Sequence, residues 1–190
     1  RISMADYVIT TDSNSDVLPE FIKENDLTII PQYYSFGDTV YGDELNMPPH
    51  EFYETMRKGE LPKSQANNPA VIRDKFEKIL KDGKNILHIA FSSALSGSCN
   101  NVIMTANELL EDYPDRKITV FDSLNASLGE GVSVYRAVEL WKEGKSMEEV
   151  YDVLMEERDH VNVSFTVNDL YHLQRGGRVS KTTAVVGSLV

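Results

Sequence analysis

Five short apolar runs punctuate the chain. Residues 7–11, 27–30, 86–91, 118–121 and 161–165 are rich in Val, Ile and Phe and predict buried strands. Between them, residues 48–58, 69–81, 98–110, 126–142 and 147–158 predict helices. The last of these opens on Ser146 with Glu149 three residues on, the pattern of a capping box. Strands alternating with helices predict βαβ units, and so an α/β fold with a mostly parallel sheet and helices on both faces. Residues 33–41, with Gly37-Asp38 inside them, predict a small hairpin after the second strand. No internal repeat or low-complexity segment interrupts this order.

Ligands of open α/β sheets sit beyond the carboxyl ends of the strands. Three such segments are rich in hydroxyls: Asp12-Ser13-Asn14-Ser15-Asp16, Ser92-Ser93-Ala94-Leu95-Ser96-Gly97-Ser98, and Asp122-Ser123-Leu124-Asn125-Ala126-Ser127-Leu128-Gly129. Any one of them reads as ordinary turn and cap chemistry. Three on one edge of a sheet point to recognition of a polar group.

Charge narrows the class of ligand. Among 190 residues there are 19 Lys and Arg against 30 Asp and Glu, a net charge of −11. That balance argues against nucleic acid or an anionic bilayer as partner, because both need basic groups to neutralise phosphates. Cys99 is the single cysteine, so neither an intrachain disulfide nor a cysteine metal cluster can form, which fits a reducing cytoplasm. No signal core or membrane-spanning stretch is present, and stable membrane insertion is not expected. Residues 180–190 end inside an apolar stretch without a stop signal, which predicts a further segment beyond them.

Several chemistries fail on their residues. The loop from Asp12 begins like a calcium site, but Val17 replaces its glycine and Lys23 its bidentate acid. His50-Glu51 lacks the second histidine of a zinc protease, no P-loop exists, and Leu128-Gly129-Glu130-Gly131 gives two glycines of a dinucleotide fingerprint without the third. Ser96 sits at a strand-to-helix turn, but Ala94 stands where the first glycine of a nucleophile elbow belongs. His88 reads as a packed strand residue, His50 and His160 as surface, and only His172, near Gly176-Gly177, as a candidate base.

Anion recognition survives. Ser96 and Gly97 open a predicted helix, whose unpaired N–H groups and dipole favour a negative charge. The polar loop Leu61-Pro62-Lys63-Ser64-Gln65-Ala66-Asn67-Asn68, leading into the helix at Pro69, is a second candidate beside its ordinary reading as a cap. A carboxylate needs only a few such donors.

Together these segments resemble the DegV family of bacterial fatty-acid-binding proteins. The resemblance is carried by Val8-Ile9-Thr10-Thr11-Asp12-Ser13, by Ser92 to Ser98, by Asp122-Ser123 with Ser127-Leu128-Gly129-Glu130-Gly131, and by Leu170-Tyr171-His172-Leu173-Gln174-Arg175-Gly176-Gly177-Arg178-Val179-Ser180. It runs over nearly the whole chain in the family's order.

The resemblance implies a Rossmann-like three-layer N-terminal domain over residues 1–175 carrying a carboxylate site, with residues 176–190 starting the linker or helix into a second α/β domain. It implies that a long-chain fatty acid such as palmitate is the ligand, without a cofactor or metal. Ser96 of the Leu95-Ser96-Gly97 turn would hold the carboxylate. Ser64 would supply a second hydroxyl where the family has Thr-Ser-Gln; here Ser64-Gln65-Ala66 departs from that pattern, and Gln65 fits the family's Gln if the loop shifts by one. Asp12, Ser13, Ser123 and Arg178 would line the pocket or face a partner. The implied role is a carrier that presents the acid to a fatty acid kinase. The alternatives from the residues are an enzyme on an acyl or phosphorylated small molecule, using Ser96 or Asp12 with His172, and a regulatory or interaction domain.

Overall fold

The computed structural model describes residues 6–188. At its centre four parallel strands run in the order β2-β1-β6-β7: β1 Tyr7–Asp12, β2 Thr28–Ile30, β6 Asn85–Ala90 and β7 Ile118–Asp122. Helix α1 (Pro19–Glu24) joins the first two. The chain then leaves the sheet, forms β3 (Tyr33–Phe36), β4 (Thr39–Tyr41), α2 (Pro49–Arg57), β5 (Lys63–Gln65) and α3 (Pro69–Lys81), and returns as β6 on the far side of β1. Helices α4 (Ser98–Asp112), α5 (Leu128–Lys142), α6 (Met147–Glu157), α7 (Leu170–Arg175) and α8 (Lys181–Gly187) complete the order.

Alternation along each strand splits the core into two layers. Tyr7 and Ile9 of β1, with Leu87 and Ile89 of β6, pack under α1, α5 and α6 through Phe21, Val134, Val138, Val150 and Leu154. Val8 and Ile86 point the other way, into Ile72, Phe76 and Leu80 of α3 and Val102 and Leu109 of α4. Helices therefore cover both faces, as the sequence predicts. The capping box of α6 is formed, Glu149 N–H donating to Ser146 Oγ and Ser146 N–H to Glu149.

The excursion builds a second, antiparallel sheet, β4-β3-β5. Its hairpin turns at Gly37, whose φ of +56° suits glycine. Register places Tyr34 opposite both Tyr41 and Ser64, so the three share a face. Tyr34 stacks on Tyr41 at 5.2 Å and meets Phe52 of α2 edge-on at 5.0 Å.

One predicted strand is absent. Residues 161–165 form no ladder with β7; they cross the start of α5, and Phe165 is 76% exposed. Gly129 makes that crossing possible, since a Cβ there would lie 2.3 Å from Val163. The Nδ2 of Asn125 also donates to the Val161 carbonyl. Strand-forming side chains gain little where no neighbour covers them.

Candidate functional site

The strand order reverses between β1 and β6, the crevice where open α/β sheets hold ligands. Asp12 ends β1 and is fully buried. Its Oδ2 accepts the Phe91 N–H at 2.7 Å and its Oδ1 accepts Nε2 of Gln32 at 3.0 Å, so it ties the ends of β1, β2 and β6 together. Oδ1 also lies 3.6 Å from Nε2 of His88, whose Nδ1 pairs with Thr10. Asp12 is thus a structural hub, with both carboxylate oxygens taken by partners from the ends of β2 and β6.

Ser13 is exposed, and its Oγ accepts the Gln32 N–H at 2.9 Å. Ser123 is buried; its hydroxyl donates to the Ala90 carbonyl at 2.7 Å and receives the Asn125 N–H. Both serve loop construction. The neighbouring Leu124 and Ser127 both adopt φ of 51°, a left-handed conformation that costs non-glycine residues energy.

Ser96 is half-buried between β6 and α4. Its Oγ accepts the Ser98 N–H at 3.2 Å and lies 2.9 Å from Ser98 Oγ. Ser98 Oγ in turn donates to Gln32 Oε1 at 2.8 Å. At the helix start, the peptide N–H groups of Gly97, Cys99 and Asn100 meet no acceptor among the described residues. Gly97 has an ordinary φ of −71° and open space where a Cβ would stand, so neither backbone nor packing demands glycine there.

Ser64 is exposed on β5 and lines a groove of about 900 Å³. The walls are Tyr34, Met47, Pro49, Phe52, Tyr53 and Leu61 on one side, with His172, Leu173, Arg175, Gly176 and Arg178 on the other. Lys63, Arg175 and Arg178 line it without an Asp or Glu among the described lining residues, and Arg175 is paired with Asp169 of the α7 N-cap at 3.0 Å. Arg178 reaches it because α7 ends in a glycine turn: Gly177 has φ +78° and the Arg178 N–H closes back onto the Leu173 carbonyl.

Ser96 and Gly97 do not line this groove, and the structure does not join them to Ser64 directly. The link is Asn67, just past β5. Its N–H donates to Ser98 Oγ, its Nδ2 donates to the Ser98 carbonyl, and Asn101 Nδ2 donates back to it. His172 stands in the groove with Ser64, away from Asp12.

Two residues escaped the sequence reading. Gln32 bridges Asp12 and Ser98. Glu130, in the first turn of α5, is fully buried, accepts from Thr11 Oγ1 at 3.1 Å, and has its second oxygen unpaired. Burial first, and the charge of Asp12 next, push its carboxyl up to about 9. The glycines flanking it are the available signal, since a Cβ at Gly131 would stand 2.6 Å from the Ser15 carbonyl. Among the described residues no group of His, Cys, Asp and Glu is arranged to hold a metal ion. No described helix is long and apolar enough to cross a membrane.

Comparison with known proteins decides the family. A sequence model described as an uncharacterised protein of the DegV family matches residues 6–190. The chain belongs to the DegV family. A DegV domain-containing protein of Clostridium perfringens is 39% identical over 189 residues; the match takes in 98% of this chain and 65% of that protein. Among solved structures, a stearic-acid-binding protein of Eubacterium ventriosum superimposes with a TM-score of 0.83 at 31% identity, over 95% of this chain and 63% of its own. A DegV family protein of Thermus thermophilus, described by its fatty acid binding, gives 0.83 at 30% identity over 97% and 64%. The chain thus spans slightly under two thirds of the length of these relatives.

Proposed function

We propose that this DegV chain binds a long-chain fatty acid such as palmitate, with Ser64, Ser96 and Gly97 toward the carboxylate and the acyl chain along apolar walls. The observation that carries this reading is the groove itself. A chain of net charge −11 gathers Lys63 and Arg178 beside Ser64 and an aromatic wall, with Arg175 held by Asp169 at 3.0 Å, and this pairing of cations with apolar surface suits an anionic head on an apolar tail. Its volume of about 900 Å³ falls within the usual span of ligand pockets. The fatty acids bound by the Eubacterium and Thermus relatives supply the ligand class.

The tail dominates affinity in this scheme. At about 0.8 kcal/mol per buried CH₂, a chain of roughly sixteen carbons offers on the order of 12 kcal/mol gross, reduced by ordering costs. The hydroxyls and the N–H groups at the start of α4 fix which end is held there. Residues up to 175 form the head-group unit, and residues 176–190 lead toward a second α/β domain that completes the tunnel. The protein is a cytoplasmic carrier without catalysis of its own, handing the acid to a fatty acid kinase.

Native mass spectrometry of the full-length protein as purified from bacteria, followed by organic extraction, tests the reading. A stoichiometric long-chain fatty acid is expected. Folded, full-length protein without lipid, and without uptake of added palmitate, overturns it.

A further inference from the structure

We infer that Gln32 is a positioning residue for the head-group site: its side-chain amide fixes the direction of the Ser98 hydroxyl and, through it, the Ser96 hydroxyl. The inference rests on the fatty-acid reading above and deepens it.

The argument is one of hydrogen-bond polarity. Asp12 accepts at both oxygens, from Phe91 N–H and from Gln32 Nε2. Reversing the Gln32 amide would set oxygen against oxygen, so its Oε1 must face Ser98 Oγ, at 2.8 Å. A hydroxyl has one proton, and that of Ser98 is committed to Gln32. Toward Ser96 Oγ, 2.9 Å away, Ser98 Oγ can therefore only accept. The Asn67 N–H occupies its other lone pair at 3.3 Å.

The backbone holds Gln32 for this task. Ser13 Oγ accepts its N–H, and Gly42, at φ +131°, packs where a Cβ would strike the Gln32 carbonyl. The chain of protons then runs one way, from Ser96 to Ser98 to Gln32 to Asp12.

The consequence concerns the ligand. In this arrangement Ser96 spends its proton inward on Ser98 while its oxygen takes the Ser98 N–H. A carboxylate only accepts, so to hold it Ser96 must turn its proton outward and give up Ser98. An alcohol head can donate to Ser96 and leave the inward bond in place. Gln32 thus moderates the grip on the carboxylate, which suits a carrier that must release its acid. Removing the Gln32 acceptor frees the Ser98 proton to turn onto Ser96, whose own proton then faces outward by default.

The test compares dissociation constants for palmitate and hexadecanol on the full-length protein, in wild type, Gln32→Met and Ser98→Ala. Both variants abolish the inward pull on the Ser96 proton. Each is expected to raise the preference for acid over alcohol roughly two- to tenfold, the worth of one hydrogen bond. Equal weakening of both ligands would mark a structural role only and overturn the inference, as would an unchanged ratio. If Gln32→Met fails to fold, Ser98→Ala alone decides by the same criterion. Failure of the wild type to bind palmitate is a separate result, which sinks the fatty-acid reading itself.

Discussion

Asn67 is joined to Ser98 twice, by its peptide N–H to Oγ at 3.3 Å and by its side-chain amide to the carbonyl at 3.1 Å. Both residues are buried, so the pair locks the segment after β5 to the first turn of α4. Asn67→Ala removes the side-chain half of this clamp, the amide bond to the Ser98 carbonyl and the one received from Asn101, in a place water cannot easily reach. The expected loss is about 2 kcal/mol, or a Tm lowered by roughly 4–8 °C. Thermal unfolding followed by circular dichroism measures it, and an unchanged Tm would show that the clamp contributes nothing.

Glu130 makes stability fall with rising pH. Folded, its carboxyl keeps its proton up to about 9; unfolded, it releases it near 4.5. Between those values the native state binds more protons than the unfolded chain, so this group removes stability as pH rises, by up to about 1.4 kcal/mol per unit, and levels off above 9. Gln at this position still accepts from Thr11 and does not titrate. Urea unfolding should find Glu130→Gln more stable than wild type at pH 8, with the gap narrowing toward pH 5. A gap independent of pH would contradict the assignment.

The central sheet and its loops were legible because burial on both faces writes itself as continuous apolar runs, as in Ile86-Leu87-His88-Ile89-Ala90. The same signal misled at residues 161–165, where apolar side chains lie over the Gly129 turn and form no ladder. It was silent at β5, whose Lys63, Ser64 and Gln65 are all exposed and pair only through β3. Helix α1, six residues long, was too short to show a period. Ser64, Ser96 and Gly97 stand out as candidates from local patterns, a polar loop and a helix start. Gln32 does not, because its role depends on Asp12, 20 residues before it, and Ser98, 66 residues after it.

Two glycines should separate structure from ligand contact. Gly131→Ala sets a methyl 2.6 Å from the Ser15 carbonyl, forcing α5 away from the loop after β1 at a cost of about 1–3 kcal/mol. Gly97→Ala meets nothing within 4 Å and has a compatible φ, so stability should hold or rise by under about 1 kcal/mol. If the start of α4 receives a carboxylate, the same methyl stands over its open N–H groups and lowers palmitate affinity. Chemical denaturation and ligand titration on each variant check the pair, and a Gly97→Ala protein that binds as wild type would move the head group elsewhere.

Ser96→Ala bears on the division of labour between head and tail. The apolar walls around Tyr34, Phe52 and Leu61 are untouched by the change, and most of the binding free energy resides in the acyl chain. Removing one hydroxyl should cost about 0.5–1.5 kcal/mol of affinity, or more if the partner is a full anion. Orientation suffers more than affinity, because a carboxylate without its donor no longer stands in one place for a second protein to modify. In an assay with a fatty acid kinase and ATP, acyl phosphate formation should therefore fall well beyond the loss in palmitate binding. Ser64→Ala should show the same asymmetry at the groove. Equal losses in binding and phosphorylation would mean that Ser96 contributes only to affinity and does not orient the acid.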